Sequence, residues 1–287
     1  MNIYDCLKTI KCEIEKCITT GKNGDKQFEN GLLAKESFIR SSKLIGLLHE
    51  TVKYDLMQHG VCPGNIFPPY GFTTPEIKLS GFLKQKDQDI TVIPRNITPT
   101  PTEITWGPLA HECIIDNYGL EYTRRSLVIN VRSQLSSLAK NSDTLFERTV
   151  AEALNLHLIY NDMVLGDVYL IPVYEYEQAA AKNNIVEFSK HKTNLEKYIS
   201  FFTSISGRQD PTTDEFKYER CALIIVDFSQ EIPILYSTTR QLKEAELIPE
   251  DFDLELADIS YLNMIDELLN IYQQRFDISD IIYNINE

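Results

Sequence analysis

The spacing of apolar residues predicts helices in the N-terminal part of the chain. Apolar positions recur at close to helical spacing at Ile3, Leu7, Ile10, Ile14 and Ile18. A longer helical pattern runs from about Leu32 to Gln58 and ends before Gly60, a residue type that often terminates helices. A turn over residues 20–25 separates the two. We therefore expect residues 1–60 to form a helical N-terminal region.

Residues 61–125 have a different pattern, because prolines interrupt much of this stretch. The prolines that exclude long helices are Pro63, Pro68, Pro69, Pro75, Pro94, Pro99, Pro101 and Pro108. Within this Pro-rich region, Ile77–Lys84 and Asp89–Ile93 flank the polar residues 85–88, which predicts a β-hairpin. The prolines form either a substrate-facing loop system or an irregular cover over the core, and we favour the cover.

From residue 126 onward, predicted strands and helices alternate. The predicted strands are Ser126–Arg132, Val164–Glu177 (interrupted at Pro172), Ile185–Phe188, Ala222–Phe228 and Ile234–Ser237. The predicted helices are Asp143–Leu158, Asn194–Ser206, Thr239–Ala245 and Tyr261–Arg275. This order predicts an α/β fold, a mixed central β-sheet flanked by helices. Residues 126–245 would form its core, and residues 246–287 an acidic helical end.

Composition and charge exclude few classes of function. The net charge is −14, but residues 246–287 hold eleven acidic residues and only one basic residue, so most of the excess lies there. DNA binding elsewhere is therefore compatible with the charge. No apolar run reaches the length of a membrane span, and the first residues are charged, so we expect a cytoplasmic protein. The six cysteines form no CxxC pair, which argues against structural zinc.

The stretch from 143 to 177 carries the best-organised acidic residues. Glu175 and Glu177 are two apart, so both would project from one face of a strand, about 7 Å apart. Eight residues of straight strand separate Asp167 from Glu175, about 26 Å, which no single metal ion can bridge. Asp167 would approach Glu175 only if the chain bends near Pro172, a residue type that often marks a bend. Otherwise Glu187 on the next strand is the available partner.

Further acidic and basic residues could complete such a site. Glu147 and Glu152 lie about 140° apart on the predicted helix, so at most one faces the sheet, and we favour Glu152. An ion pair between Glu152 and Arg148 is an equally good interpretation. Lys190 would need a bulge to reach the same face as Glu187. The basic residues nearest in sequence could line a DNA cleft or lie on a surface: Arg124, Arg125, Arg132 and Lys140.

The pattern of a helical Glu, an Asp after a turn and a Glu on the following strand resembles the PD-(D/E)XK nucleases, which include most type II restriction endonucleases. The resemblance covers residues 126–242. Residue by residue, it implies that Glu152 is the helix acid, Asp167 the turn aspartate and Glu175 the strand glutamate. Glu177 stands where the family's lysine belongs, and some members carry glutamate there. Gly166 replaces the family's proline.

A rival site lies on the predicted hairpin. Glu76-Ile77-Lys78 is a literal Glu-x-Lys, with Asp87 and Asp89 close by, but the aspartates follow it instead of preceding it. Residues of the Lys-Asp-Gln-Asp type are common in turns, and we favour that interpretation. The five histidines show no metal-binding spacing, and no nucleotide-binding loop or nucleophile elbow is present.

These observations lead to two hypotheses. In the first, the protein is a type II restriction enzyme-like endonuclease that hydrolyses double-stranded DNA, and a homodimer would cut both strands of a symmetric site. Asp167 and Glu175 would bind Mg²⁺, with Glu177 and Glu152 as further catalytic residues. In the second, it is a non-enzymatic α/β subunit of a defence or DNA-processing complex, in which the same carboxylates are structural. We expect no membrane association and no nucleotide cofactor.

Overall fold

The computed structural model describes residues 1–283. Its helices are α1 Ile3–Thr20, α2 Gly31–Ile39, α3 Ser42–Gln58, α4 Leu120–Arg124, α5 Leu138–His157, α6 Gln178–Lys182, α7 Leu195–Ile205, α8 Thr239–Glu244 and α9 Tyr261–Arg275. Its strands are β1 Lys22–Asn23, β2 Lys26–Gln27, β3 Ile66–Phe67, β4 Ile77–Ser80, β5 Gln85–Gln88, β6 Ile90–Val92, β7 Thr102–Glu103, β8 Ile115–Asp116, β9 Leu127–Ser133, β10 Val164–Pro172, β11 Tyr174–Tyr176, β12 Phe188–Lys192, β13 Arg220–Asp227 and β14 Ile234–Tyr236.

The central sheet has six strands, in the order β14-β13-β10-β9-β6-β3. The three inner strands β9, β10 and β13 run parallel, and β14, β6 and β3 each pair antiparallel with their neighbour. Helix α5 connects β9 to β10, and α7 lies in the connection from β10 to β13, as parallel pairing requires. The predicted mixed α/β sheet with flanking helices is confirmed.

The two faces of the sheet bury different sets of helices. In β10, Val168 and Leu170 pack on the side of α1, α3 and α9, whereas Tyr169 and Ile171 pack on the side of α5 and α7. This alternation follows from the two-residue period of a strand. Gly166 faces α9, where an added Cβ would lie 2.6 Å from a Met264 side-chain atom. Close packing of a helix on the sheet therefore explains the glycine before Asp167.

Several predicted elements have different bounds in the structure. The predicted helix from Leu32 to Gln58 is two helices, because the Ser41 side chain accepts a hydrogen bond from the Lys43 N–H and begins α3. The predicted hairpin was wrong: β4 pairs with β5 instead, and the segment after Asp89 joins the central sheet as β6. The strand predicted over 185–188 lies later, as β12.

The acidic C-terminal region is part of the folded core. Helix α9 packs against β10 and β13 through buried residues that include Met264 and Leu268. Residues 284–287 of the predicted acidic region lie outside the described residues. Within residues 1–283, no helix is both long and apolar enough to cross a membrane.

Candidate functional site

Glu175, one of the two predicted metal ligands, caps the N-terminus of α5. Its carboxylate accepts hydrogen bonds from the backbone N–H groups of Ser137, at 2.7 Å, and Leu138, at 3.1 Å. Glu152 lies fourteen residues after Leu138 on the same helix, or about 21 Å along its axis. Glu175 and Glu152 therefore lie near different ends of α5.

The chain does not bend back at Pro172. That residue stays in register with Val226 of β13, and the next N–H, of Val173, donates to the Val226 carbonyl at 2.8 Å. Five residues of strand separate Asp167 from Pro172, about 16 Å, and Glu175 lies further on. One ion cannot bind both Asp167 and Glu175 in this arrangement, so we leave Glu175 out of the candidate site.

The other predicted site residues near β11 and β12 also have separate roles or positions. The Glu177 side chain accepts a hydrogen bond from the Ala179 N–H at 3.3 Å and caps α6. Glu187 and Lys190 are exposed, Glu187 just before β12 and Lys190 within it. We therefore place Glu177, Glu187 and Lys190 outside the candidate site as well.

The remaining two predicted acids, Glu152 and Asp167, meet at the guanidinium of Arg132. Nη1 of Arg132 lies 2.7 Å from Oδ1 of Asp167, and Nη2 forms an ion pair with Oε2 of Glu152. Nη1 also donates to the Thr149 hydroxyl at 2.9 Å. Asp167 is completely buried and Arg132 is 14% exposed. An arginine thus bridges two carboxylates between the sheet and α5.

Asp167 is part of a polar row across three strands. On one side, the Cα of Asp167 is paired with that of Asn130 on β9. On the other side of β9, Ile129, which directly precedes Asn130, is paired with Ile90 of β6. Asp89 directly precedes Ile90, and its Oδ2 accepts a hydrogen bond from the Val131 N–H at 2.9 Å. Paired side chains on neighbouring strands lie about 5 Å apart. Asp89, Asn130 and Asp167 therefore come together from distant parts of the sequence.

This row adjoins an open cleft of about 440 Å³, which we call the Arg132 cleft. Four basic side chains line it, together with two acids, three serines and four apolar residues. They are Arg40, Lys86, Arg132 and Arg148, Asp89 and Glu152, Ser41, Ser42 and Ser133, and Ile39, Ile45, Val131 and Leu145. Glu152 contacts Lys86 Nζ at 3.0 Å and Arg148 Nε at 3.4 Å. The cleft therefore combines a carboxylate cluster with a basic mouth.

The pKa values of Asp167 and Glu152 are shifted in opposite directions. Burial raises the pKa of Asp167 to about 7, opposed by Arg132 and reinforced by the charges of Glu152 and Asp89. Burial would also raise the pKa of Glu152, but the charges of Arg132 and Lys86 outweigh it and the pKa is lowered. Proton uptake by Asp167 near neutral pH would therefore change the charge of the site.

Buried polar oxygens behind the Arg132 side chain provide candidate metal ligands. Neither oxygen of Asp167 accepts a well-aligned hydrogen bond, and Oδ1 of Asn130, 2% exposed, also has none. Carboxylate and amide oxygens are the ligands that Mg²⁺ and Ca²⁺ prefer. Across residues 1–283, however, no three His, Cys, Asp or Glu side chains are already grouped as a metal site. The donor chemistry fits Mg²⁺, but a cage is not preformed.

The rival sequence site is divided by the fold. Lys78 and Asp87 face each other across the β4–β5 hairpin, 3.7 Å apart and about half exposed, whereas Asp89 belongs to the Arg132 cleft. Two of the predicted basic residues, Arg124 and Arg125, are engaged in ion pairs with Glu121 and with further acids. Only Arg132 of that basic group lines the cleft.

Sequence reasoning named Asp89 only in the rival site, where a turn was favoured, and it missed Asn130 and the central position of Arg132. A signal for Asn130 and Arg132 was present, since they are alternate polar residues in the largely apolar strand β9. Comparison of the chain with protein-family models, curated proteins and solved structures gave no match. The geometry of the Arg132 cleft is therefore the principal basis for assigning a function.

Proposed function

We propose that this protein is a Mg²⁺-dependent endonuclease that hydrolyses phosphodiester bonds in double-stranded DNA, resembling type II restriction enzymes. One observation carries the proposal: Asp89 and Glu152 line an open cleft beside Lys86, and the buried Asp167 lies behind them, joined to Glu152 through Arg132. Clustered carboxylates next to a lysine are suited to holding a divalent cation and a phosphodiester together.

Within the cleft, Asp89 and Asp167 would hold the ion, with the Asn130 carbonyl oxygen between them and Glu152 at the outer side. A bound Mg²⁺ would lower the pKa of a water molecule and stabilise the charge that develops on the phosphate. Lys86, whose Nζ contacts Glu152 at 3.0 Å, would orient that water or the scissile phosphate. This assignment retains Asp167 and Glu152 from the sequence prediction and replaces the two strand glutamates with Asp89.

The mouth of the cleft is suited to a nucleic-acid backbone. The side chains of Arg40 and Arg148 are 78% and 66% exposed, and both line the opening. The N-terminus of the seventeen-residue helix α3, at Ser41 and Ser42, lies at the same opening, where its N–H groups favour an anion. Phosphates would bind there without base-specific contacts.

The direct test is cleavage of unmodified plasmid and genomic DNA with Mg²⁺. We expect the wild type to cut DNA only with the metal, and Asp167→Asn and Glu152→Gln to lose at least about 100-fold in rate, since a catalytic metal supplies several kcal/mol. Asp87→Asn is the matched control, because Asp87 lies two residues before Asp89 but is about half exposed and contacts Lys78 outside the cleft. Equal cutting by all four proteins would refute the site.

A second candidate function rests on the Arg132 ion pairs. Because the guanidinium already pairs with both Glu152 and Asp167, the cleft could bind DNA or a protein partner without catalysis. Mg²⁺-independent DNA binding, with no cleavage and no loss of binding in Asp167→Asn, would favour this non-enzymatic role.

Light scattering with and without DNA would test the homodimer that cutting both strands of a symmetric site requires.

A further inference from the structure

Arg132 occupies the position in the cleft where a metal cation would be expected. Its guanidinium lies between Asp167 and Glu152, the innermost and outermost of the converging acids, and holds both by ion pairs. No other basic side chain of residues 1–283 contacts Asp167. The positive charge that these two carboxylates need is therefore supplied by the protein itself.

The surroundings of Arg132 allow this charge to move. Arg132 lines the cleft of about 440 Å³ and its side chain is 14% exposed, so it borders open volume on one side. Apart from the two carboxylates, Arg132 contacts two hydroxyl groups, that of Thr149 at 2.9 Å and that of Tyr218. Lys86 and Arg148 contact Glu152 without Arg132, so that acid keeps basic partners when the guanidinium leaves.

We propose that Arg132 is a displaceable internal counter-ion that competes with the divalent metal for Asp167 and Glu152, and that metal binding moves its guanidinium toward the mouth of the cleft. This inference rests on the proposed metal-dependent function. The apparent affinity of a site is reduced by the fraction of molecules whose site is blocked, so Arg132 weakens metal binding in the free protein. After displacement, its guanidinium faces the region where a DNA phosphate would bind.

The test is calorimetric titration with Mn²⁺ of the wild type and Arg132→Gln at pH 8.5. Glutamine keeps a hydrogen-bonding side chain but carries no charge. We expect Arg132→Gln to bind Mn²⁺ at least about tenfold more tightly than the wild type. We also expect Mn²⁺ to raise the melting temperature more in this variant than in the wild type.

Two further variants act as controls. Arg148→Gln removes an arginine that contacts Glu152 at 3.4 Å but does not contact Asp167, and we expect less than about a twofold change in Mn²⁺ affinity. Arg132→Lys keeps the charge, but one ammonium cannot pair with both carboxylates as the guanidinium does, so an intermediate affinity is expected. If Arg132→Gln folds only in the presence of Mn²⁺, that result supports displacement, and Arg132→Lys still supplies the affinity comparison.

The outcomes separate this inference from the proposed function. If the wild type cuts DNA with Mg²⁺ and Asp167→Asn does not, while Arg132→Gln and Arg132→Lys bind Mn²⁺ no more tightly than the wild type, the counter-ion role is overturned and the nuclease stands. If no variant binds Mn²⁺ and none cuts DNA, both proposals fail. Tighter binding confined to the Arg132 variants supports displacement.

Discussion

Two buried carboxylates in this protein, Glu219 and Asp167, have opposite environments. Glu219 is fully buried and accepts hydrogen bonds from the Leu165 N–H, Arg208 and Arg275 at 2.8–3.1 Å, with His157 Nε2 at 3.3 Å. Asp167 is equally buried, but within residues 1–283 Arg132 is the only charged group paired with it, and neither of its oxygens accepts a well-aligned hydrogen bond.

The difference between them indicates different roles. Burial would raise the pKa of Glu219, but the hydrogen bond and charge of His157, then Arg275 and the Leu165 N–H, outweigh it and lower the pKa. For Asp167 burial dominates and raises the pKa to about 7. A fully satisfied acid stabilises a fold, whereas an incompletely satisfied one next to a cleft is more often functional. We therefore interpret Glu219 as structural and Asp167 as part of a site.

The largest effect is expected from Glu219→Gln. The substitution leaves the Arg208 and Arg275 guanidiniums buried without a counter-charge, which costs about 5 kcal/mol, at the upper end for breaking a buried ion pair. Chemical denaturation at pH 7.5 measures the free energy of unfolding. A loss below about 1 kcal/mol would show that Glu219 is not the structural partner we describe.

Asp167→Asn is expected to increase the free energy of unfolding at the same pH, in contrast to Glu219→Gln. The folded protein binds the Asp167 proton more tightly than the unfolded chain, so stability decreases as pH rises from about 4 to about 7. The rise in pKa from 3.8 to about 7 corresponds to roughly 4 kcal/mol. Denaturation curves at pH 4 and pH 7.5 should give Asp167→Asn and the wild type similar stability at the lower pH and a more stable variant at the higher.

Glu219 should show the reverse pH dependence. Because its pKa is lowered in the folded state, its contribution is present above its ordinary pKa of 4.5 and is lost as pH falls below that value. The difference in stability between the wild type and Glu219→Gln should therefore shrink on acidification. If the difference in stability between the wild type and either variant did not change with pH, the proposed electrostatic difference between Glu219 and Asp167 would be contradicted.

The smallest effect is expected for Glu175→Gln, which weakens the cap of α5. Losing charge-assisted hydrogen bonds to the Ser137 and Leu138 N–H groups should cost about 1 kcal/mol. Denaturation at pH 7.5 would measure this loss. A loss comparable to that of Glu219→Gln would show that Glu175 does more than cap the helix.

Much of the fold was predictable because it follows from local periodicity. The buried strand near Ala222, the helix from Tyr261 to Arg275 and the end of β10 at Pro172 were all indicated by apolar spacing and proline chemistry. The hairpin was misassigned because Asp89 lies between two strands, β5 and β6, that join different sheets. The pairing of Ile90 with Ile129 is what places the residues after Asp89 in the central sheet. Sequence spacing contains no information about such a pairing.

The candidate site was likewise predicted only where local sequence patterns determine it. Glu152 and Asp167 were identified from their own helix and strand, and both contact Arg132 in the structure. Asp89 was interpreted as a turn residue, since its position beside Asn130 depends on contacts between distant segments. Glu175 was placed with Asp167 only on the condition that the chain bends at Pro172, and the backbone there remains in the ladder.

The most direct measurement compares the rates of Mg²⁺-dependent DNA cleavage by Asp89→Asn and Glu175→Gln. If the Arg132 cleft is the active site, Asp89→Asn should lose at least about 100-fold, because a catalytic metal supplies several kcal/mol. Glu175→Gln should cut at close to the wild-type rate, since its carboxylate caps α5. Full activity in Asp89→Asn together with loss in Glu175→Gln would contradict the placement of the site in the Arg132 cleft.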